Sequence, residues 1–313
     1  MSSLVSIIVP CFNAERWLRA AIESALSQLW SPTEVIVVDD GSTDRSLEIA
    51  RRFESRGVKF LSQANRGASA ARNAGLAAAR GKFIQLLDAD DLLDSKKIEA
   101  QMQRLSAAGP NFIASASWAR FTDDPKMAVF ETEPNQRDLS GVEFLLLHYS
   151  AGWMMQPAAW LTPRTLLDKI GPWDEQLSLN DDGEYFSRVM LAAAGIAYCP
   201  DARCFYRSEL HASLSRRQDE AAIRSLFRST SLTLERLLPH VTTEQDRAII
   251  ADAWLTLAFE CYPLCPQLAR EAESRAHCLH PSPKLRRLPP RVMRLAKLTG
   301  WRAARRAQLL FRG

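Results

Sequence analysis

Asp88-Ala89-Asp90-Asp91 places three carboxylates within four residues, directly after the apolar run Phe83-Ile84-Gln85-Leu86-Leu87. Side chains two apart on a strand point the same way, so Asp88 and Asp90 can face one cleft. Two carboxylates so placed can hold a hard divalent cation, and that cation can neutralise a diphosphate. Such chemistry suits a transferase acting on a nucleotide-activated substrate. The competing reading is a solvated acidic turn capping the next helix, because Asp serves both purposes.

The elements that must position these acids alternate between strand and helix. Residues 5–9 form a short apolar run ending at Pro10. Residues 14–28 show helical spacing through Trp17, Leu18, Ala21, Ile22, Ala25 and Leu26. A second strand over 34–38 is closed by Asp39-Asp40-Gly41-Ser42-Thr43-Asp44, a turn and then an N-cap for a helix over 45–55. A strand over 58–61, an alanine-rich helix over 68–79 and a strand over 82–87 follow. Continuously apolar strands separated by helices predict an α/β fold, a mostly parallel sheet sandwiched by helices. Open sheets of this kind bind ligands at the carboxyl ends of their strands, where Pro10, Asp39 and Asp88 all lie. Further elements are expected at 95–107 (helix), 112–120 (strand), 181–194 (helix) and 202–207 (strand), with 123–137 a loop. The stretch 141–163 mixes a short helix with one or two strands. Beyond Arg216 the spacing is helical over 218–238, 243–262, 267–278 and 290–311, which predicts domains at 1–216 and 217–313.

At 313 residues the chain can bury a large core, and no apolar run reaches the about 18 residues of a spanning helix. The first five residues lack a basic segment, so residues 5–9 read as a strand and not a signal peptide. None of the six cysteines forms a Cys-x-x-Cys pair, which favours buried, reduced thiols in a cytoplasmic protein. Charge is uneven: residues 284–313 hold ten basic side chains and no acid, while residues 1–283 carry 30 basic against 36 acidic groups, a net of about −6.

Four segments occur in order at close spacing: Val5-Ser6-Ile7-Ile8-Val9-Pro10-Cys11-Phe12-Asn13, Val37-Val38-Asp39-Asp40-Gly41-Ser42-Thr43-Asp44, Asn65-Arg66-Gly67-Ala68-Ser69-Ala70-Ala71-Arg72-Asn73 and Leu87-Asp88-Ala89-Asp90-Asp91. Together they resemble the nucleotide-sugar-binding half of glycosyltransferase family 2, which has the GT-A fold. Gly171-Pro172-Trp173-Asp174-Glu175 and Asn180-Asp181-Asp182-Gly183-Glu184 are similar to that family's acceptor-side motif. The resemblance covers about residues 4–216.

The resemblance implies an inverting, metal-dependent transfer of sugar from a nucleotide-diphosphate donor, UDP on family grounds, to an acceptor hydroxyl. Asp39 would contact the base, with Pro10 and Phe12 shaping the pocket, and Arg72 would serve phosphate or the donor sugar. Asp90 would ligate Mg²⁺ or Mn²⁺, with Asp88 on the ribose and a metal-bound water. Asp182 is the candidate general base. The family usually shows Glu-Asp where this chain has Asp181-Asp182, which leaves the role of Asp181 open. The alternative for this turn is an acidic helix start stabilised by its dipole. The stretch 206–215 resembles a loop that closes over the diphosphate, where His211 could complete the metal shell with Arg207 and Ser213 assisting. A structural role for His211 is the rival. Trp153 and Gln156 could stack on and bond an acceptor sugar, against the commoner buried role of a Trp.

Projected as one helix, the tail sets Arg291, Arg294, Arg302, Arg305 and Arg306 opposite Val292, Met293, Ala296, Ala303, Ala307, Leu310 and Phe311. A basic amphipathic helix suits an anionic membrane surface. A core-packing helix with a solvated face, or an oligomer contact, are the alternatives. Nucleic acid is not expected, since no binding module accompanies the charge. Analogy adds a glycan or lipid-linked acceptor, a role in cell-surface polysaccharide or lipopolysaccharide synthesis, and peripheral location on the inner membrane face. Two rivals stand beside the transferase: a nucleotidyltransferase releasing pyrophosphate, and a non-catalytic nucleotide-binding scaffold.

Overall fold

Valine and isoleucine, stiff at χ1 and suited to a pleated surface, dominate the first two strands. β1 (Val5–Cys11) and β2 (Thr33–Asp39) pair in parallel and are buried along nearly their whole lengths. β3 (Lys59–Ser62) and β4 (Phe83–Leu86) extend the parallel set on either side. Parallel neighbours need crossovers, and α1 (Leu18–Leu26), α2 (Ser46–Arg51) and α3 (Ala68–Ala78) supply them. The computed structural model describes residues 2–152, 156–208, 219–286 and 288–310.

After β4 the chain adds β5 (Leu92–Leu93), α4 (Lys97–Ala108), β6 (Phe112–Phe121), α5 (Gly141–Ala151), β7 (Leu161–Pro163), α6 (Arg164–Ile170), α7 (Asp181–Ala192) and β8 (Gly195–Arg207). The eight strands run in the order β3-β2-β1-β4-β7-β6-β8-β5. β7 lies antiparallel to β4 and β6, β8 is parallel to β6, and β5 closes the edge antiparallel to β8. The sheet is therefore mixed, with its parallel half carrying Pro10, Asp39 and Asp88 at or just beyond its strand ends.

β8 begins at Gly195, well before the expected residue 202. Its register shifts opposite Ala116 and Ser117, and this irregularity accommodates Pro200, which a regular ladder would exclude. β5 and α6 are additions to the sequence reading, one too short and the other too close to Pro163 to show a period.

The chain forms two compact units. One comprises residues 1–141, 155–178 and 189–213 and contains the sheet; the other comprises 142–154, 179–188 and 214–313. In the second unit, α8 (Glu220–Leu237) and α9 (Glu244–Cys261) start at side-chain caps. Asp219 accepts from Ala222 N at 2.9 Å and Thr243 from Asp246 N at 3.1 Å. α9 is buried on most sides and packs against α8 and α10 (Pro266–Leu279).

The tail is two helices where one was expected, α11 (Pro290–Thr299) and α12 (Trp301–Leu310), separated by Gly300 at φ +82°. The helical register restarts there, which corrects the projected basic face. Arg305 is buried, donates to Tyr262 O at 3.2 Å and pairs with Glu260 at 3.0 Å. Arg302 pairs with Glu273. No described helix is long and apolar enough to cross a membrane. The six cysteines are free thiols, all but Cys278 buried.

The sheet unit contains a polar cluster within its core. Lys97 is fully buried and donates to Gln85 Oε1 at 2.5 Å and Gln101 Oε1 at 2.6 Å. The two amides then reach Ala158 O and Ala159 O, both at 2.9 Å, tying β4 to the turn before β7. Burial draws the Lys97 ammonium down to about 8. Lys97→Met should therefore destabilise the protein by about 2–4 kcal/mol, because two buried carbonyl oxygens lose their donor. The unfolded state binds more protons than the folded between about pH 8 and 10.5, so burying the charge costs less as pH rises through that window. Denaturant titrations should show the gap between wild type and Lys97→Met widening from pH 8 to 10.

Candidate active site

The first two strands end in turns shaped by backbone geometry. Pro10 is buried at the end of β1, while Phe12 beyond it is 51% exposed. Asn13 adopts φ +50°, held by a bond from Thr43 N to its Oδ1 at 2.8 Å. Asp39 is buried but receives only long bonds, from Ser42 N at 3.3 Å and Ser62 Oγ at 3.4 Å. Its carboxylate keeps accepting capacity for a ring N–H. Asp40 is committed to the protein, accepting from Gln63 Nε2 at 2.7 Å, Arg66 N at 3.0 Å and Gly67 N at 2.8 Å. Gly41 permits this closure: at φ +77° its Cβ would lie 2.8 Å from Asn65 N.

Beyond β4 the three acids are held by two arginines. Arg72, buried on α3, donates to Asp88 Oδ1 at 3.0 Å, and its guanidinium lies 4.6 Å from the Trp173 ring. Arg207, buried at the end of β8, donates its backbone N–H to Asp91 Oδ1 at 2.8 Å and its Nε to Asp90 O at 2.9 Å. It also bonds Thr122 O, and it stacks against Trp17 at 4.0 Å and Phe121 at 4.2 Å. Burial first, then the charge of Asp88, pushes the Asp90 carboxyl up to about 6. Asp91 is also raised well above the usual carboxylate range, by burial and then by the charges of Asp90 and Asp88. Its Oδ2 has no partner among the described residues.

Asn73 fastens the segment 171–175 to α3. It accepts from Trp173 N at 2.8 Å and donates to Trp173 O and Glu175 Oε1, both at 3.0 Å. In the second unit, Asp181 and Asp182 open α7, and Asp182 Oδ1 accepts from Gly183 N at 2.8 Å. Asn180 enters this turn at φ +58° and donates to Ser229 Oγ at 3.0 Å. A Cβ on Gly183 would meet Asn180 Oδ1 at 2.3 Å, so a larger residue there would displace the Asn180 side chain. Glu184 is buried between Arg188 at 2.9 Å and Arg236 at 2.6 Å. The helix start is thus both acidic and rigidly seated.

Of the sequence candidates, Pro10, Phe12 and Asp39 fall at the ends of β1 and β2, and Arg72, Asp88, Asp90 and Arg207 meet at the end of β4. Gln156 is buried, donating to Cys204 Sγ at 3.3 Å. Trp153, His211 and Ser213 lie outside the described residues. No individual site role was read from the sequence for Asp91, Trp173 or Trp17. The Leu92-Leu93 pair was a signal for Asp91, since an apolar edge strand there buries the preceding residue.

Asp88 and Asp90 crowd two carboxylates at one strand end, and a divalent cation relieves such repulsion, so the residues fit one. No group of three metal-binding side chains occurs among the described residues. The arrangement can hold a cation and an anionic donor at a strand end, as open α/β sheets do.

Residues 6–168, just over half of the chain, match the model of glycosyl transferase family 2. The chain belongs to that family. Among its relatives, GlyG, a glycosyltransferase of Streptococcus pneumoniae, is 28% identical over 66% of this chain. An uncharacterized glycosyltransferase of Rickettsia prowazekii, RP339, is 30% identical over 68% of it, and EpsJ of Bacillus subtilis is 40% identical over 41%. The matched stretches span 71%, 65% and 39% of those relatives' own lengths. In fold, this family 2 member is similar to residues 1–349 of Staphylococcus aureus TarS, solved in complex with UDP-GlcNAc. The TM-score is 0.72 at 18% identity, covering 98% of this chain and 91% of that one. The GT-A architecture expected from the sequence is therefore the observed one.

Removing the Asp90 charge separates stability from binding. The folded state binds more protons than the unfolded between about pH 4 and 6, so the ionised carboxylate lowers stability fully above pH 6. In metal-free buffer at pH 7.5, Asp90→Asn should be more stable than wild type by about 1–3 kcal/mol, with the difference vanishing near pH 4. Thermal unfolding across that range checks it.

Proposed function

We propose that this glycosyltransferase moves a sugar from a UDP-linked donor to a hydroxyl of a glycan or lipid-linked acceptor. The transfer inverts the anomeric carbon and serves cell-surface polysaccharide or lipopolysaccharide assembly. The observation that carries this reading is the pair Asp88 and Asp90 at the end of β4, braced by Arg72 and Arg207. The bound UDP-GlcNAc of TarS, on the same fold, supports a nucleotide-sugar donor.

Asp39 accepts an N–H of the base, with Pro10 and Phe12 bounding the pocket. Asp90 and Asp88 hold Mg²⁺ or Mn²⁺, which when bound stabilises the negative charge on the departing diphosphate. Arg72 orients Asp88 and adds positive charge beside the donor phosphates. Asp182 takes the proton of the acceptor hydroxyl while its oxygen attacks the anomeric carbon. The bond from that carbon to the diphosphate oxygen breaks, and its electron pair leaves with UDP.

The tail supports peripheral attachment to an anionic membrane. On α11, Arg291, Arg294 and Lys297 are exposed, Leu298 is 84% exposed beside them, and no ion pair engages the three cations among the described residues. Basic side chains interleaved with an exposed apolar one suit a headgroup surface.

A screen of nucleotide sugars with Mn²⁺ tests the catalytic assignment. Asp90→Ala should lose metal-dependent donor binding. Asp182→Asn should keep it and lose turnover by about 10²–10⁴-fold; equal turnover in the variant removes Asp182 as base. For the tail, Arg291, Arg294 and Lys297 changed together to Glu should abolish co-sedimentation with vesicles of anionic lipid. Unchanged sedimentation rules out this membrane face.

A further inference from the structure

β6 and β8 run side by side in parallel, and one face of that pair carries Trp118, Arg120 and Tyr206. Trp118 and Arg120 are two apart on β6, and Tyr206 is the register partner of Arg120. The two rings meet edge to face, centroids 6.0 Å apart. The Arg120 guanidinium lies 5.5 Å from the Trp118 centroid and 5.2 Å from that of Tyr206. Both rings are half-buried and Arg120 is exposed. Among the described residues no carboxylate pairs with Arg120; Glu133, whose carboxyl is raised chiefly by burial, feels its charge without bonding it. The guanidinium is held in place by aromatic faces, with its N–H donors left for an incoming group.

This cluster lies near the acids beyond β4. Tyr206 immediately precedes Arg207, whose N–H binds Asp91. Its phenol is raised by burial and then by the charges of Asp91, Asp88 and Asp90. Two residues earlier on β8, Cys204 accepts from Gln156, which is 1% exposed and whose Oε1 has no partner among the described residues. Aromatic faces and an arginine without a carboxylate partner among the described residues therefore lie on one strand pair, near the acids. Three carboxylates repel a second anion, so an anionic acceptor needs a cation of its own.

Resting on the transferase reading above, we propose that Trp118, Tyr206 and Arg120 form an acceptor subsite for a phosphate-bearing sugar. The rings cover the apolar face of the sugar and Arg120 takes the phosphate through paired N–H donors.

The full chain, with Mn²⁺ and UDP bound, is titrated calorimetrically with glucose 6-phosphate, glucose and inorganic phosphate as probes. The wild type should bind glucose 6-phosphate at least about tenfold more tightly than either other probe. Arg120→Gln should reduce that affinity to the level of glucose, with Arg120→Lys recovering part of it. Trp118→Ala should weaken glucose 6-phosphate and glucose alike. Thermal unfolding and UDP affinity, which a folding defect would move, are read for each variant. Equal wild-type affinity for glucose 6-phosphate and glucose overturns the proposal while leaving the donor site intact. Failure of the wild type to bind UDP strikes the transferase reading itself, and this inference with it.

Discussion

Three carboxylates within four residues repel one another, and the structure around the end of β4 is organised to hold them together. Two arginines do this from different directions. Arg72 pairs with Asp88 from α3, and Arg207 closes the turn from β8 through Asp91 and the Asp90 carbonyl. Neither arginine is a mobile surface charge: one is stacked on Trp173, the other lies between Trp17 and Phe121. Even so, Asp90 retains a raised pKa. Residual repulsion of this kind is what a divalent cation would remove, so the proposed cation site is set up electrostatically by the fold itself.

The scaffolding beneath the acids follows the same principle of satisfying buried polarity locally. Lys97, Gln85 and Gln101 fix β4 against the turn before β7. Asp40 organises the loop from Gln63 to Gly67 through three N–H groups, and Asn73 fastens the segment around Trp173. These side chains set the positions of Asp39, Arg72 and Asp88 to within hydrogen-bond tolerances. The arrangement suits a reaction whose barrier is lowered by positioned charge.

The strand ends were legible because the buried parallel strands are continuous apolar runs, and a polar residue closing each run has few other places to go. Asp39, Asp88 and Asp90 were found that way. The division of labour between neighbours was not legible: Asp39 and Asp40 look equivalent as letters, yet Asp40 is consumed by three short bonds while Asp39 receives only two long ones. Asp91 reads as solvated until β5 is seen to bury it. Arg305 was placed on the wrong face because one helix was projected through Gly300, whose left-handed conformation restarts the register. A glycine after Thr299 was the available signal. Lys97 carries no local mark of burial, since a helical lysine is ordinarily solvated, and only Gln85 brought by β4, with Gln101 one turn along α4, reveals it.

The account depends most on the acids beyond β4 taking a cation together with the donor. The direct measurement is anomalous diffraction from crystals soaked with Mn²⁺ and UDP. The account predicts one manganese peak within bonding distance of an Asp90 oxygen, bridged to the diphosphate, with the uracil ring against Asp39. A manganese site away from Asp88 and Asp90, or ordered UDP with its diphosphate remote from them, would contradict it.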